Sequence, residues 1–147
     1  MKKLILLILL LGINNYAQTE SNSIEVFPVY PICKLLPDSK QELCFMDTVQ
    51  DHVESNFFYP KSAWDLNLEA LVRVRFDINE NGEIDNITPT ASVVGVSFIE
   101  REAFKAAKQL FQVAALQIME KLPLLTPAKI DGIPTKKTFQ ISIKYQI

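Results

Sequence analysis

Residues 70–88 read ALVRVRFDINENGEIDNIT, and two structures compete for them. One is a calcium loop. Asp77, Asn79 and Asn81 stand at ligand positions 1, 3 and 5, Gly82 at the sharp-turn position 6, Ile84 at position 8 and Asp85 at position 9. The other is a β-hairpin. Ala70, Val72, Val74, Phe76 and Ile78 alternate with Leu71, Arg73, Arg75 and Asp77, which is the period of a half-buried strand. Two features favour the hairpin. Position 12 of a calcium loop carries a bidentate acid, and here it is Thr88. Such a loop also joins two helices, whereas these residues continue a strand and open another apolar run. Asn79-Glu80-Asn81-Gly82 is then a turn with Gly82 free to take positive φ, and Asp77 and Asp85 are expected as solvated strand-end residues. No metal is expected.

Outward from the hairpin the pattern alternates between periods. A second strand is expected from Glu83 to about Val94, with Pro89 marking an edge or a bulge. Before the first strand, Leu43, Met46, Val49, Val53 and Phe57 recur at steps of three or four, the spacing of one helical face. Asp47 and Asp51 are expected near the start of that helix, where the dipole favours acids. Tyr59-Pro60 stops it, since a residue before proline is pushed out of the helical region. After the hairpin, Ser97-Phe98-Ile99-Glu100 has the form of a capping box opening a helix from Phe98 to Lys121. Its apolar face holds Ala103, Phe104, Ala107, Leu110, Phe111, Ala114, Ile118 and Leu122, and Pro123 and Pro127 end it. Past the Asp131-Gly132 turn, Phe139, Ile141, Ile143 and Tyr145 alternate with Gln140, Ser142, Lys144 and Gln146, which predicts a last strand. The order is helix, strand, strand, helix, strand.

The 147 residues suit one small domain plus an end segment. With 48% apolar and 22% charged residues the chain can bury a core. MKKLILLILLLGINNYAQ begins with two lysines, continues in an apolar run from Leu4 to Ile13 and ends in small and polar residues. That layout is a signal peptide over residues 1–17, cut after Ala17 within a residue or two. The run is shorter than the roughly 20 residues that span a bilayer. The expected location is therefore the periplasm or the exterior, in contact with the cell envelope. In an oxidising compartment Cys33 and Cys44 are most simply one disulfide, pinning an extended lead-in over residues 18–42 that holds Pro28, Pro31 and Pro37. No Lys/Arg cluster marks a nucleic-acid footprint.

Candidate chemistry is sparse. His52, the only histidine, lies one step off the apolar face and reads as a boundary residue. Both cysteines are accounted for by the disulfide, and Ser97 by capping. The four glycines form no phosphate loop. Trp64, Phe57, Phe58 and Tyr59 form an aromatic cluster read as packing rather than a ligand platform. No constellation supports an enzyme, a cofactor or a small-molecule substrate.

Taken in order, Tyr59-Pro60 with Ala63, the strand from Leu71 to Ile78, Asn81-Gly82-Glu83-Ile84, the FIEREA run from Phe98 to Ala103, Leu122-Pro123, Pro127-Ala128, Asp131-Gly132-Ile133-Pro134 and Phe139 to Ile143 resemble the TonB C-terminal domain family. The likeness covers about residues 43–147. The segment around Cys33 and Cys44 is similar to the lead-in of TonB-like proteins of the Bacteroidetes. The resemblance implies an α+β fold, a two-layer sandwich with a three-stranded antiparallel sheet packed against helices. It further implies a periplasmic module that takes part in outer-membrane transport by docking a segment of a TonB-dependent receptor, or another periplasmic protein, as an added strand. The expected edge is Thr138, Phe139, Gln140, Ile141, Ser142, Ile143, Lys144 and Tyr145, because an edge strand offers unpaired amides and carbonyls. An exported structural domain that self-associates as a homodimer is the alternative. The sequence differs from the family in having Leu124 and Leu125 after Pro123 in place of a tryptophan. Its second helix is also longer, with extra apolar residues from Val113 to Met119 expected to cover more sheet or meet a partner.

Overall fold

The computed structural model describes residues 24–94 and 100–147. From the N-terminus these form β1 (Glu25–Val26), a 3-10 turn (Pro31–Leu35), α1 (Asp38–Ser55), α2 (Lys61–Asp65), β2 (Glu69–Ile78), β3 (Ile84–Val94), α3 (Arg101–Met119), β4 (Ala128–Ile130), β5 (Ile133–Thr135) and β6 (Lys137–Tyr145). The expected signal peptide lies outside the described residues, as does Ser97 of the expected capping box.

The alternation in β2 sets the architecture. Ala70, Val72, Val74, Phe76 and Ile78 are all buried, on the inner face of an antiparallel sheet ordered β3-β2-β6. Register carries the same parity into the neighbours. Val72 lies between Ala91 and Ile143, Val74 between Pro89 and Ile141, and Phe76 stacks on Phe139 at 5.8 Å. Arg73, Arg75, Thr88, Thr90, Ser142 and Lys144 occupy the outer face and are exposed. A one-residue slip would exchange the faces, so burial of about 1.5–3 kcal/mol per large apolar side chain holds the register.

Two helices cover the inner face. On α3 the buried side chains are Ala107, Phe111, Ala114, Ala115, Ile118 and Met119, and the helix packs over β3 and β2. The extra apolar residues thus cover core, except Val113, which is exposed. Glu100 has extended backbone angles and is the N-cap, so α3 begins at Arg101, and the expected start at Phe98 lies outside the described residues. On α1 the buried residues are Gln41, Phe45, Val49 and Val53, four apart, with Phe45 against Phe139 at 4.7 Å. This corrects the expected face. Leu43 is 65% exposed and Phe57 lies past the helix end. The helix also starts at Asp38, which places Asp47 and Asp51 in its middle. His52 is half-buried and joins the helices: its Nε2 lies 3.1 Å from the Ile118 carbonyl, the geometry of a donated hydrogen bond.

A second three-stranded sheet, β1-β4-β5, was not foreseen. Its hairpin is the Asp131-Gly132 turn, where both residues have positive φ, 51° and 81°, as a two-residue type I′ turn requires. The lead-in is stitched to it. Beyond the β1–β4 pairing, Val29 and Thr126 exchange backbone hydrogen bonds and the Asp131 carboxylate accepts from the Ile24 amide. Cys33 and Cys44 form the expected disulfide, 5.9 Å between Cα atoms, tying the 3-10 turn to α1. Closing a loop of that size contributes about 3 kcal/mol by the chain-entropy model. The α+β class and the three-stranded sheet against helices agree with the sequence reading.

Candidate functional site

The central sheet has two edges, and they differ. On β3, Pro89 has no amide to offer, and its carbonyl already accepts 2.9 Å from Gln112 Nε2. Thr88 pairs with Arg75 and Asp85 with Asp77, so two β3 residues oppose Phe76 and the strand bulges at Asn86, whose φ is 49°. The strand therefore runs through Pro89, and the bulge lies three residues earlier. A bulge, a proline and a bound carbonyl are the devices that blunt an edge.

On the other side, β6 pairs only with β2 among the described residues. Its inner residues are committed to the core: Ile141, Ile143 and Tyr145 are buried and Phe139 is half-buried. Tyr145 lies among Phe57, Tyr59 and Phe111, and burial pushes its phenol well above the ordinary tyrosine value. Thr138, Gln140, Ser142 and Lys144 face outward and are exposed. A partner strand would therefore meet backbone along β6 and side chains only from every second residue.

One end of β6 is anchored and the other is open. At the anchored end, Lys137 pairs with Glu25 and sits 3.5 Å from the centre of the Phe27 ring. Thr138 donates 2.6 Å to Asp77 Oδ1, Asn86 Nδ2 donates 2.9 Å to Asp77 Oδ2, and Lys136 Nζ stands 3.5 Å from the same carboxylate. Asp77 is 7% exposed, not the solvated residue the sequence suggested. It couples the last residues of β2, the bulge of β3 and the start of β6. The hydrogen bonds from Thr138 and Asn86, in that order, hold its carboxyl below the usual carboxylate range, with the Lys136 charge adding less. A depressed folded value means stabilisation present above the unfolded value and lost as pH falls through the folded one. Asp77→Ala removes the acceptor of both hydrogen bonds and should cost about 1–2 kcal/mol at pH 7. Urea melts at several pH values should show that difference shrinking below about pH 4.

At the open end a groove of about 380 Å³ runs between β6 and the last turns of α1. Ser142, Ile143 and Lys144 line one wall, Gln50, Val53 and Glu54 the other, and Phe57 closes it. Sequence reasoning missed the α1 wall, because only the packing of α1 beside β6 brings residues 90 positions apart together.

The remaining expected residues serve the fold. Tyr59 is half-buried and its hydroxyl donates to the Leu68 carbonyl at 2.5 Å. Pro60 is the N-cap of α2. Gly82 is buried against Leu125, Leu122 is buried and Pro123 is exposed. The aromatic cluster divides: Tyr59 packs edge-on against Trp64, Phe111 and Tyr145, whereas Trp64 is 53% exposed. In the former calcium positions, Asn79 Oδ1 accepts from the amides of Asn81 and Glu83, an Asx-type turn. Among the described residues no three His, Cys, Asp or Glu side chains converge as a metal site. An apolar groove of about 450 Å³ between Phe58, Pro60 and α3 has no charged residue in its lining. No described helix is long and apolar enough to cross a membrane.

No family model matches the sequence, and no curated protein does. Among solved structures, the chain is similar to the C-terminal domain of TonB from Helicobacter pylori, determined by NMR. Identity is 18% and the TM-score 0.44, over 78% of this chain and 86% of that domain.

Proposed function

We propose that this protein is a periplasmic binding module of TonB type, which docks an extended segment of an outer-membrane receptor, or of another periplasmic protein, by adding it as a strand to β6. The observation that carries the reading is the asymmetry of the sheet. β3 is blunted by Pro89, its bound carbonyl and the Asn86 bulge, while β6 has no second strand partner among the described residues. An unpaired edge gives affinity through main-chain hydrogen bonds, and the groove beside Ile143 gives room for every second side chain of the added segment. The resemblance of the sequence motifs to the TonB C-terminal family supports the transport setting, and the reading of residues 1–17 as a signal peptide supports the periplasm.

The test is a titration of the isotope-labelled protein with synthetic segments from the periplasmic face of outer-membrane receptors. Amides of Gln140 to Lys144 are expected to shift and to gain exchange protection, and those of β3 to stay unchanged. Binding that protects β3 instead, or no binding by any receptor segment, would sink the reading. Self-association that protects the same β6 amides would favour the exported structural domain.

A further inference from the structure

Resting on the strand-addition reading, we infer that the segment β6 accepts is cationic on the side that faces α1. The warrant is the charge of the helix that walls the groove. Among the residues of α1, Asp38, Glu42, Asp47, Asp51 and Glu54 are all exposed, against Lys40 as the single lysine or arginine. None of the five carboxylates forms an ion pair among the described residues. Leu43, Asp47, Gln50 and Glu54 follow one another at steps of four, three and four, so they form one stripe along the helix. Gln50 and Glu54 of that stripe line the groove.

Glu54 is placed against its own local interest. It lies in the last turn of α1, where the helix dipole disfavours a carboxylate. Its one side-chain hydrogen-bond partner is Gln50 Nε2 at 3.0 Å, a neutral donor, and Lys144, which lines the same groove but faces the outer side of the sheet, forms no ion pair with it among the described residues. A carboxylate beside an open sheet edge, over the apolar floor of Val53, Phe57 and Ile143, suits a lysine or arginine whose stem lies on that floor and whose head reaches Glu54.

The same charges disfavour a second copy of this chain as the occupant. Two β6 strands paired about a two-fold axis would bring two α1 helices to the same face of the joined sheet, acid opposite acid. On the outer face the added strand would run beside Thr138, Gln140, Ser142 and Lys144. Threonine at the outward positions of the segment suits Thr138 and Ser142, the hydroxyl-bearing outward residues of β6 itself, since Thr–Thr and Thr–Ser pairs are favourable neighbours in a sheet.

The probes are two capped octapeptides titrated into the full chain: Thr-Val-Thr-Lys-Thr-Val-Thr-Lys, and the same peptide with Glu in place of both Lys. Binding is read by calorimetry and by β6 amide shifts at low and high salt. The lysine peptide should bind roughly threefold to tenfold tighter at low ionic strength, and the gap should close in about 1 M salt. Glu54→Lys should reverse the preference, and removing an acid from the last turn of α1 leaves its thermal melt unchanged or slightly raised. Equal binding of the two peptides, or a preference that Glu54→Lys leaves intact, overturns the cationic inference while strand addition stands. Failure of both peptides and of every receptor segment overturns both. A dimer held through β6 that the lysine peptide cannot displace overturns it in favour of a second copy.

Discussion

Phe45→Ala should cost about 4 kcal/mol, while Leu43→Ala, two residues earlier on the same helix, should change stability by less than about 0.5 kcal/mol. The two residues are about 200° apart around the helix axis. Phe45 is fully buried, its ring 6.1 Å from that of Tyr30 and 4.7 Å from that of Phe139, which in turn stacks on Phe76. It is therefore the link between the lead-in, α1 and β6. Truncation would open a cavity that none of three different elements can fill alone, which puts the cost toward the middle of the range for aromatic truncation. Leu43 keeps 65% of its surface in water and loses little. Urea unfolding of the two variants, with unchanged slope, measures both numbers. The reverse order of costs would mean that α1 is rotated about its axis. The groove beside β6 would then be walled by different side chains. A loss of this size is a large part of the 5–15 kcal/mol that holds a domain of this size.

That pair marks where the sequence stops being legible. Val49 and Val53 belong both to the expected face with Leu43 and to the observed face with Phe45, so periodicity alone leaves the phase of α1 open. The choice is made by what lies beneath: Tyr30 and Phe139 in sequence-distant elements, and a disulfide that anchors Cys44. β2 had no such ambiguity. Its five inward residues alternate without a break, and all five are buried. β1, β4 and β5 are two or three residues long, too short for any period to register, and the Asp131-Gly132 turn was their one local sign. Asp77 had the parity of an outer-face residue and does lie on that face. Its burial comes from Thr138, opposite it in β6, and from the Asn86 bulge in β3, neither of which is local. The candidate site divides in the same way. The alternation of β6 was readable, but its acidic wall on α1 depends on helix phase and packing together.

Gly82→Ala is the other substitution expected to be severe, about 3 kcal/mol or more, and Gly132→Ala is its control. Both glycines have positive φ, 84° and 81°, so an added Cβ strains the backbone at each by roughly 1 kcal/mol. The difference lies in what surrounds them. At Gly132 a Cβ would meet nothing within 4 Å. At Gly82 it would stand 1.8 Å from the Leu125 carbonyl oxygen and 2.8 Å from its carbon, both backbone atoms. That carbonyl cannot simply swing away, because the Leu125 amide donates 2.9 Å to the Gly82 carbonyl and the next residue, Thr126, exchanges hydrogen bonds with Val29. Relief would have to separate the β2–β3 turn from the segment that leads to β4 and holds the lead-in. Overpacking a rigid contact costs about 1–3 kcal/mol beyond the strain. Thermal melts of both variants should therefore show Gly82→Ala losing about three times as much stability as Gly132→Ala, or more. Similar losses at the two sites would mean that the turn and Leu125 are not in contact. The residue that first suggested the sixth position of a calcium loop has a different task. Its missing side chain lets the tip of the central hairpin touch the segment that leads to β4 and holds the lead-in.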